Sequence, residues 1–156
     1  MHSRIYQLSS SPIEEDEYII EDEFEVEQYC DFAQYIAETP DREDDLVEIK
    51  KILESQFPNV FKVDLDSLCI TYLGNIEAIF QEWCKSIQEE ASKLDQGDAT
   101  PGSVLVKILV PLGIRERFYI VDYSGYPASF EDLLNYFSKK DPCEKLYIGG
   151  TLDYHY

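Results

Sequence analysis

Two histidines, His2 and His155, make up the imidazole inventory of this 156-residue chain. Imidazole is the side chain best suited to take up and release a proton near neutral pH. The two lie at opposite ends of the sequence, so pairing of the terminal segments as strands would bring them together. Asp153 would then join them in a small polar cluster, and His155 with Asp153 or Asp122 could support acid–base chemistry. The plain alternative is two ordinary surface histidines. A nucleophile elbow of the GxSxG type is absent.

Carboxylates are the abundant reactive groups, 32 Asp and Glu against 13 Lys and Arg, for a formal charge of −19. None of them falls into a metal-ligand pattern. Asp64 and Asp66 have the first spacing of a calcium loop, but Leu68 stands where a third oxygen ligand belongs. HExxH and paired-cysteine motifs are missing, as are the GxxxxGK[ST] and GxGxxG phosphate cradles. Gly149-Gly150 leads into TLDY, which reads as strand and not as a helix whose N-terminus could hold an anion. No metal and no cofactor is expected.

The charge is concentrated. Residues 1–60 hold 17 Asp and Glu against 4 Lys and Arg, and between Arg4 and Arg42 no basic side chain occurs. Within that stretch, Glu14, Glu15, Asp16 and Glu17 form one run, and Glu21, Asp22 and Glu23 another. Such runs usually form a solvated face. Interleaved with Tyr18, Phe24, Tyr29 and Phe32, they also suit a segment packed on the domain, presenting a negative face over residues 14–45 to a basic partner protein. Toxin-neutralising immunity proteins and nucleic-acid mimics present surfaces of this charge. Direct binding of nucleic acid or of an anionic membrane surface is disfavoured, because both need Lys and Arg.

A second candidate surface is VDYSGYP, residues 121–127, which offers Asp122, Tyr123, Ser124 and Tyr126 around a glycine turn. It would serve a small accessory protein that binds a ligand or partner. The same residues also suit a plain turn whose aromatic flanks pack on the core. Tyr147, Tyr154 and Tyr156 on the last segment present the same choice.

The elements that must position these groups follow from periodicity and punctuation. Ser3–Leu8 reads as a strand followed by a turn at SSSP. Tyr29, Phe32, Ala33 and Ile36 have helical spacing. Asp41 can cap a helix whose Leu46, Ile49 and Leu53 share a face, flanked by Val47 and Ile52 and ended by Pro58. The segment from Val60 to Gly74 alternates and then runs apolar, predicting one or two strands. Apolar residues from Ile76 to Leu94 recur at helical spacing, 96–102 is a loop, and SVLVKILV at 103–110 leans towards a short helix. RERFYIVDY is a strand, Ser129 caps a helix through FEDLLNYFSKK, and the last segment is a strand with a bulge or bend at Gly149-Gly150.

The expected architecture is one α+β domain over 1–156, with a mixed or antiparallel sheet of about 4–5 strands, both terminal strands within it, and helices mainly on one face. A docked terminal segment this rich in aromatics is expected near the middle of the sheet. A chain of this length buries roughly two-thirds of its unfolded surface, enough for one core. The four cysteines show no short-range pairing and read as reduced thiols, mostly core fillers. No leader pattern and no run of 18 apolar residues is visible, so the expected compartment is the cytoplasm. The favoured function is a non-enzymatic binding or inhibitory protein, immunity-like and bacterial in type.

Overall fold

The computed structural model describes residues 2–24, 33–92 and 114–156. They fall into two compact units, one made of residues 1–74 with 115–156 and the other of 75–114. The first unit is built on a six-stranded mixed sheet: β1 (His2–Ser9), β2 (Tyr35–Glu38), β3 (Phe61–Asp64), β4 (Cys69–Tyr72), β5 (Arg117–Ile120) and β6 (Lys145–His155). The strand order is β3-β4-β6-β1-β5, and β2 also pairs with β6. Only β1 and β5 run parallel. The class is α+β, with both terminal strands at its centre.

β6 organises the sheet because its 11 residues outlast every neighbour. One edge pairs with β1 along almost its whole length, from His2 opposite His155 to Ser9 opposite Tyr147. The other edge is divided, β4 taking Lys145–Tyr147 and β2 taking Leu152–His155. Between them the Ile148 N–H donates to the Leu68 carbonyl at 2.7 Å, and Arg42 donates twice to the Gly149 carbonyl, at 2.7 and 3.1 Å. The register slips between Tyr6 and Leu8, so that Gly149 and Gly150 together face Gln7. This is the bulge anticipated at the two glycines.

Alternation along the strands sends two different sets of side chains to the two faces. Tyr6, Phe61 and Phe118 turn towards α1 (Arg42–Gln56) and α3 (Phe130–Phe137). There Phe57, Phe61, Phe118, Phe130 and Phe137 pack ring against ring, with centroids 5.0–6.4 Å apart. Ile5, Leu152 and Tyr154 turn the other way and are covered by Ile19 and Phe24 of the acidic segment.

α1 begins where predicted: the Asp41 carboxylate accepts from the Asp44 N–H, and Leu46, Ile49 and Leu53 are buried. α1 also guards the edge strand β3, because Glu54 accepts the Val63 N–H at 2.9 Å and Lys50 donates to the Val63 carbonyl at 2.7 Å. α3 has only eight residues, and its N-terminus carries a capping box between Ser129 and Asp132. Ser129→Ala should therefore lower stability by about 1 kcal/mol in urea unfolding, the usual worth of such a cap. A change in urea midpoint too small to resolve would show that tertiary packing alone holds this helix.

In the second unit the described element is α2 (Ile76–Ser92), which bears out the helix predicted from Ile76. No described helix is long and apolar enough to cross a membrane.

The α+β class with both terminal strands in the sheet is as expected, and three details differ. Ile36 belongs to β2, not to a helix, because the outer edge of β6 recruits Tyr35–Glu38 as a strand. The sheet has six strands, since the segment from Val60 to Gly74 forms a complete hairpin and β2 adds one more. Of the three described cysteines only Cys69 fills the core, while Cys84 and Cys143 are exposed. The readings at Tyr29, Cys30 and Phe32, and at 103–110, lie outside the described residues.

Candidate functional site

The acidic segment is built onto the sheet as a strap. Glu15–Glu17 and Glu21–Glu23 each form a short 3-10 turn. Between and after them, Ile19 and Phe24 are buried on the Ile5, Leu152 and Tyr154 face. Gln7 fastens the strap to the bulge. Its Nε2 donates to the Glu17 carbonyl at 2.9 Å, and its Oε1 accepts from the Ile19 N–H at 3.1 Å and the Gly150 N–H at 2.8 Å. Arg42, already bound to Gly149, lies over the Tyr18 ring at 4.7 Å. The first basic residue after Arg4 is thus used in holding the strap down.

Glu14, Glu15, Asp16, Glu17, Glu21, Asp22 and Glu23 are all exposed. None forms an ion pair with a described Lys or Arg. Glu14 and Glu17 bond to each other at the start of the first turn, where the Glu17 carboxylate accepts the Glu14 N–H at 3.1 Å. The remaining five face solvent, and Ile20, 47% exposed, stands between the two turns. The strap is therefore a fixed anionic surface with an apolar knob at its middle.

The 121–127 turn has a different character. Asp122 accepts from the Ser10 hydroxyl at 3.1 Å, and Tyr123 meets Tyr136 edge to face at 5.0 Å. Together with Lys139, Lys140 and the buried Ile120, they line a cleft of about 240 Å³. Tyr126 is 54% exposed and is not part of that lining. Ser124 is buried, so its hydroxyl is not on a ligand surface. A second cleft of about 280 Å³ opens where the strap leaves β1, between Ser9, Pro12, Glu17 and Asp122.

The histidines do converge. Pairing of β1 with β6 sets them opposite one another with ring centroids 5.1 Å apart, and Tyr35 stacks on His155 at 5.3 Å. The carboxylate of Asp153, however, bonds His2 at 2.7 Å, while His155 Nδ1 meets the Gln34 side-chain oxygen at 3.0 Å. Asp153 also takes a hydrogen bond from Arg4, whose Nε reaches buried Asp45 at 2.5 Å. Burial works to lower the Arg4 pKa, but the hydrogen bond and the charges of Asp45 and Asp153 outweigh it and raise it. Desolvation first, then positive charge that includes His2, holds His155 below the ordinary histidine value against the pull of Asp153. Neither of the two clefts is lined by a histidine.

Sequence reasoning passed over Gln7, Arg42 and Asp45. Gln7 carried a signal, a polar residue inside an apolar strand. Asp45 carried another, since it stands four residues before Ile49 on the buried side of α1. Asp64, considered as a metal ligand, accepts from Ser67 and from the Asp66 N–H within the β3–β4 turn. These bonds, led by that from the Ser67 hydroxyl, lower its pKa.

No protein-family model, no curated protein sequence and no solved structure matches this chain.

Proposed function

We propose that this chain is a non-enzymatic binding or inhibitory protein, immunity-like in its charge, that engages a basic partner protein through the acidic face at 14–45. The observation that carries the reading is the strap. Its carboxylates are unpaired with described cations, and Gln7, Ile19, Phe24 and Arg42 hold the backbone that carries them against the sheet. Preorganisation of this kind removes part of the ordering cost of association, and a dense negative field speeds encounter with a positive surface. Ile20, exposed between two acidic turns, suits an interface with an apolar centre and a polar rim.

The test uses immobilised protein and a lysate. Basic proteins should be retained at about 10 mM salt and released near 150 mM, as the Debye length falls from about 30 to about 8 Å. The neutralised variant E15Q/D16N/E21Q/D22N/E23Q leaves the Glu14–Glu17 pair intact and should lose this retention. Ile20→Ser should weaken the affinity of a captured partner by roughly tenfold while keeping its salt dependence. Retention indifferent to salt and to the neutralised variant would refute the reading.

A further inference from the structure

We infer that the cleft between the end of β1, the 121–126 turn and the end of α3 binds a small zwitterion with a flat apolar body, a free aromatic amino acid being the simplest case. Two opposite charges share its wall without meeting. Asp122 is held by the Ser10 hydroxyl through Oδ2, which leaves Oδ1 with its acceptor capacity. Lys140 is held over the Tyr136 ring at 4.9 Å and pairs with Glu144 at 3.8 Å. Lys139 forms no ion pair among the described residues, and none joins Asp122 to either lysine.

A ligand carrying both an ammonium and a carboxylate answers both ends at once. A simple anion would meet Asp122, and a simple cation would meet the lysines. The body of the ligand would lie against the Tyr123 ring, which stays 49% exposed while it packs edge to face on the buried Tyr136 above Ile120 at the cleft floor. A volume of about 240 Å³ lies below the usual range for drug-sized ligands, so the occupant has on the order of a dozen non-hydrogen atoms. Such a ligand binds in the millimolar range. This inference is independent of the acidic-face reading, because it uses none of the strap carboxylates.

The experiment is a titration followed by amide NMR shifts, using phenylalanine, 3-phenylpropionate, which lacks the ammonium, and phenethylamine, which lacks the carboxylate. Phenylalanine should give saturable shifts confined to residues 120–123 and 136–140, and should bind about fivefold or more tightly than either truncated compound. Lys139→Gln, at an exposed position, should reduce phenylalanine to the affinity of phenethylamine, and Asp122→Asn should reduce it to that of 3-phenylpropionate. Tyr123→Ala should weaken all three. Equal affinity for the three compounds, shifts outside this cleft, no saturation by about 10 mM, or indifference to Lys139→Gln would each overturn the assignment.

Discussion

Asp45→Ala should destabilise the fold by about 3 kcal/mol, read as a lower urea midpoint. Asp45 is 3% exposed at the first turn of α1. Its carboxylate accepts from Arg4 at 2.5 Å, from the Thr39 hydroxyl at 2.6 Å and from the Thr151 hydroxyl at 3.2 Å. Truncation takes this acceptor from the buried Thr151 hydroxyl and the part-buried Thr39 hydroxyl, and a buried donor without a partner forfeits its full desolvation cost. The loss stays near the lower end for a broken buried pair because Arg4 keeps Asp153 and is itself a quarter exposed. Asp45→Asn keeps an acceptor for the threonines and should cost about half as much. A loss under about 1 kcal/mol for the alanine variant would show that the network does not hold α1 to β1.

The same junction sets a limit at alkaline pH. Tyr6 is fully buried and donates its hydroxyl to the Asp45 carbonyl at 3.0 Å. Burial, followed by the nearby charge of Asp45, raises its pKa far above the ordinary 10.0. In the unfolded chain the phenol ionises near that ordinary value while the folded protein keeps it neutral. The stability contributed is therefore complete below about pH 10 and is lost as pH rises beyond it.

How far the sequence foretold this arrangement depends on which forces were local. The caps at Asp41 and Ser129 and the alternation of Phe61 and Val63 with Lys62 and Asp64 depend on near neighbours, and all were legible. So was the bulge, since two adjacent glycines inside a strand have few other uses. β2 was not, because Ala33 and Ile36 suit a helix until β6, where Ile36 meets Tyr154, offers an open edge far along the chain. The convergence of the histidines follows from pairing the termini, but the sequence leaves open which of them Asp153 serves. Asp153 and His155 stand two apart on one strand, and the diagonal neighbour His2 on β1 takes the carboxylate instead. At the strap, charge pattern and apolar anchors were readable, but Gln7 and Arg42 act only across the fold.

Gly149→Ala tests whether the shape of the strap, and not its charge alone, makes the binding face. A methyl group at this position would come within 2.4 Å of Gln7 Oε1 and 2.7 Å of Ile13 Cδ1. Both are side-chain ends that can yield, but when Gln7 yields it abandons the Ile19 and Gly150 N–H groups that it alone joins across the bulge. Overpacking and the loss of these buried bonds should together cost about 3 kcal/mol. Gly150 is the harsher neighbour in kind, because there a methyl would stand 3.0 Å from the backbone nitrogen of Ile19, which cannot rotate away. Gly149→Ala leaves every carboxylate in place, so a partner drawn by net charge alone would bind it as well as the parent protein. A partner that reads the fixed surface should bind more weakly by roughly tenfold, and faster hydrogen exchange at Ile19 should report the loosened strap. Weaker binding together with unchanged protection at Ile19 would place the effect elsewhere and separate the bulge from the acidic face.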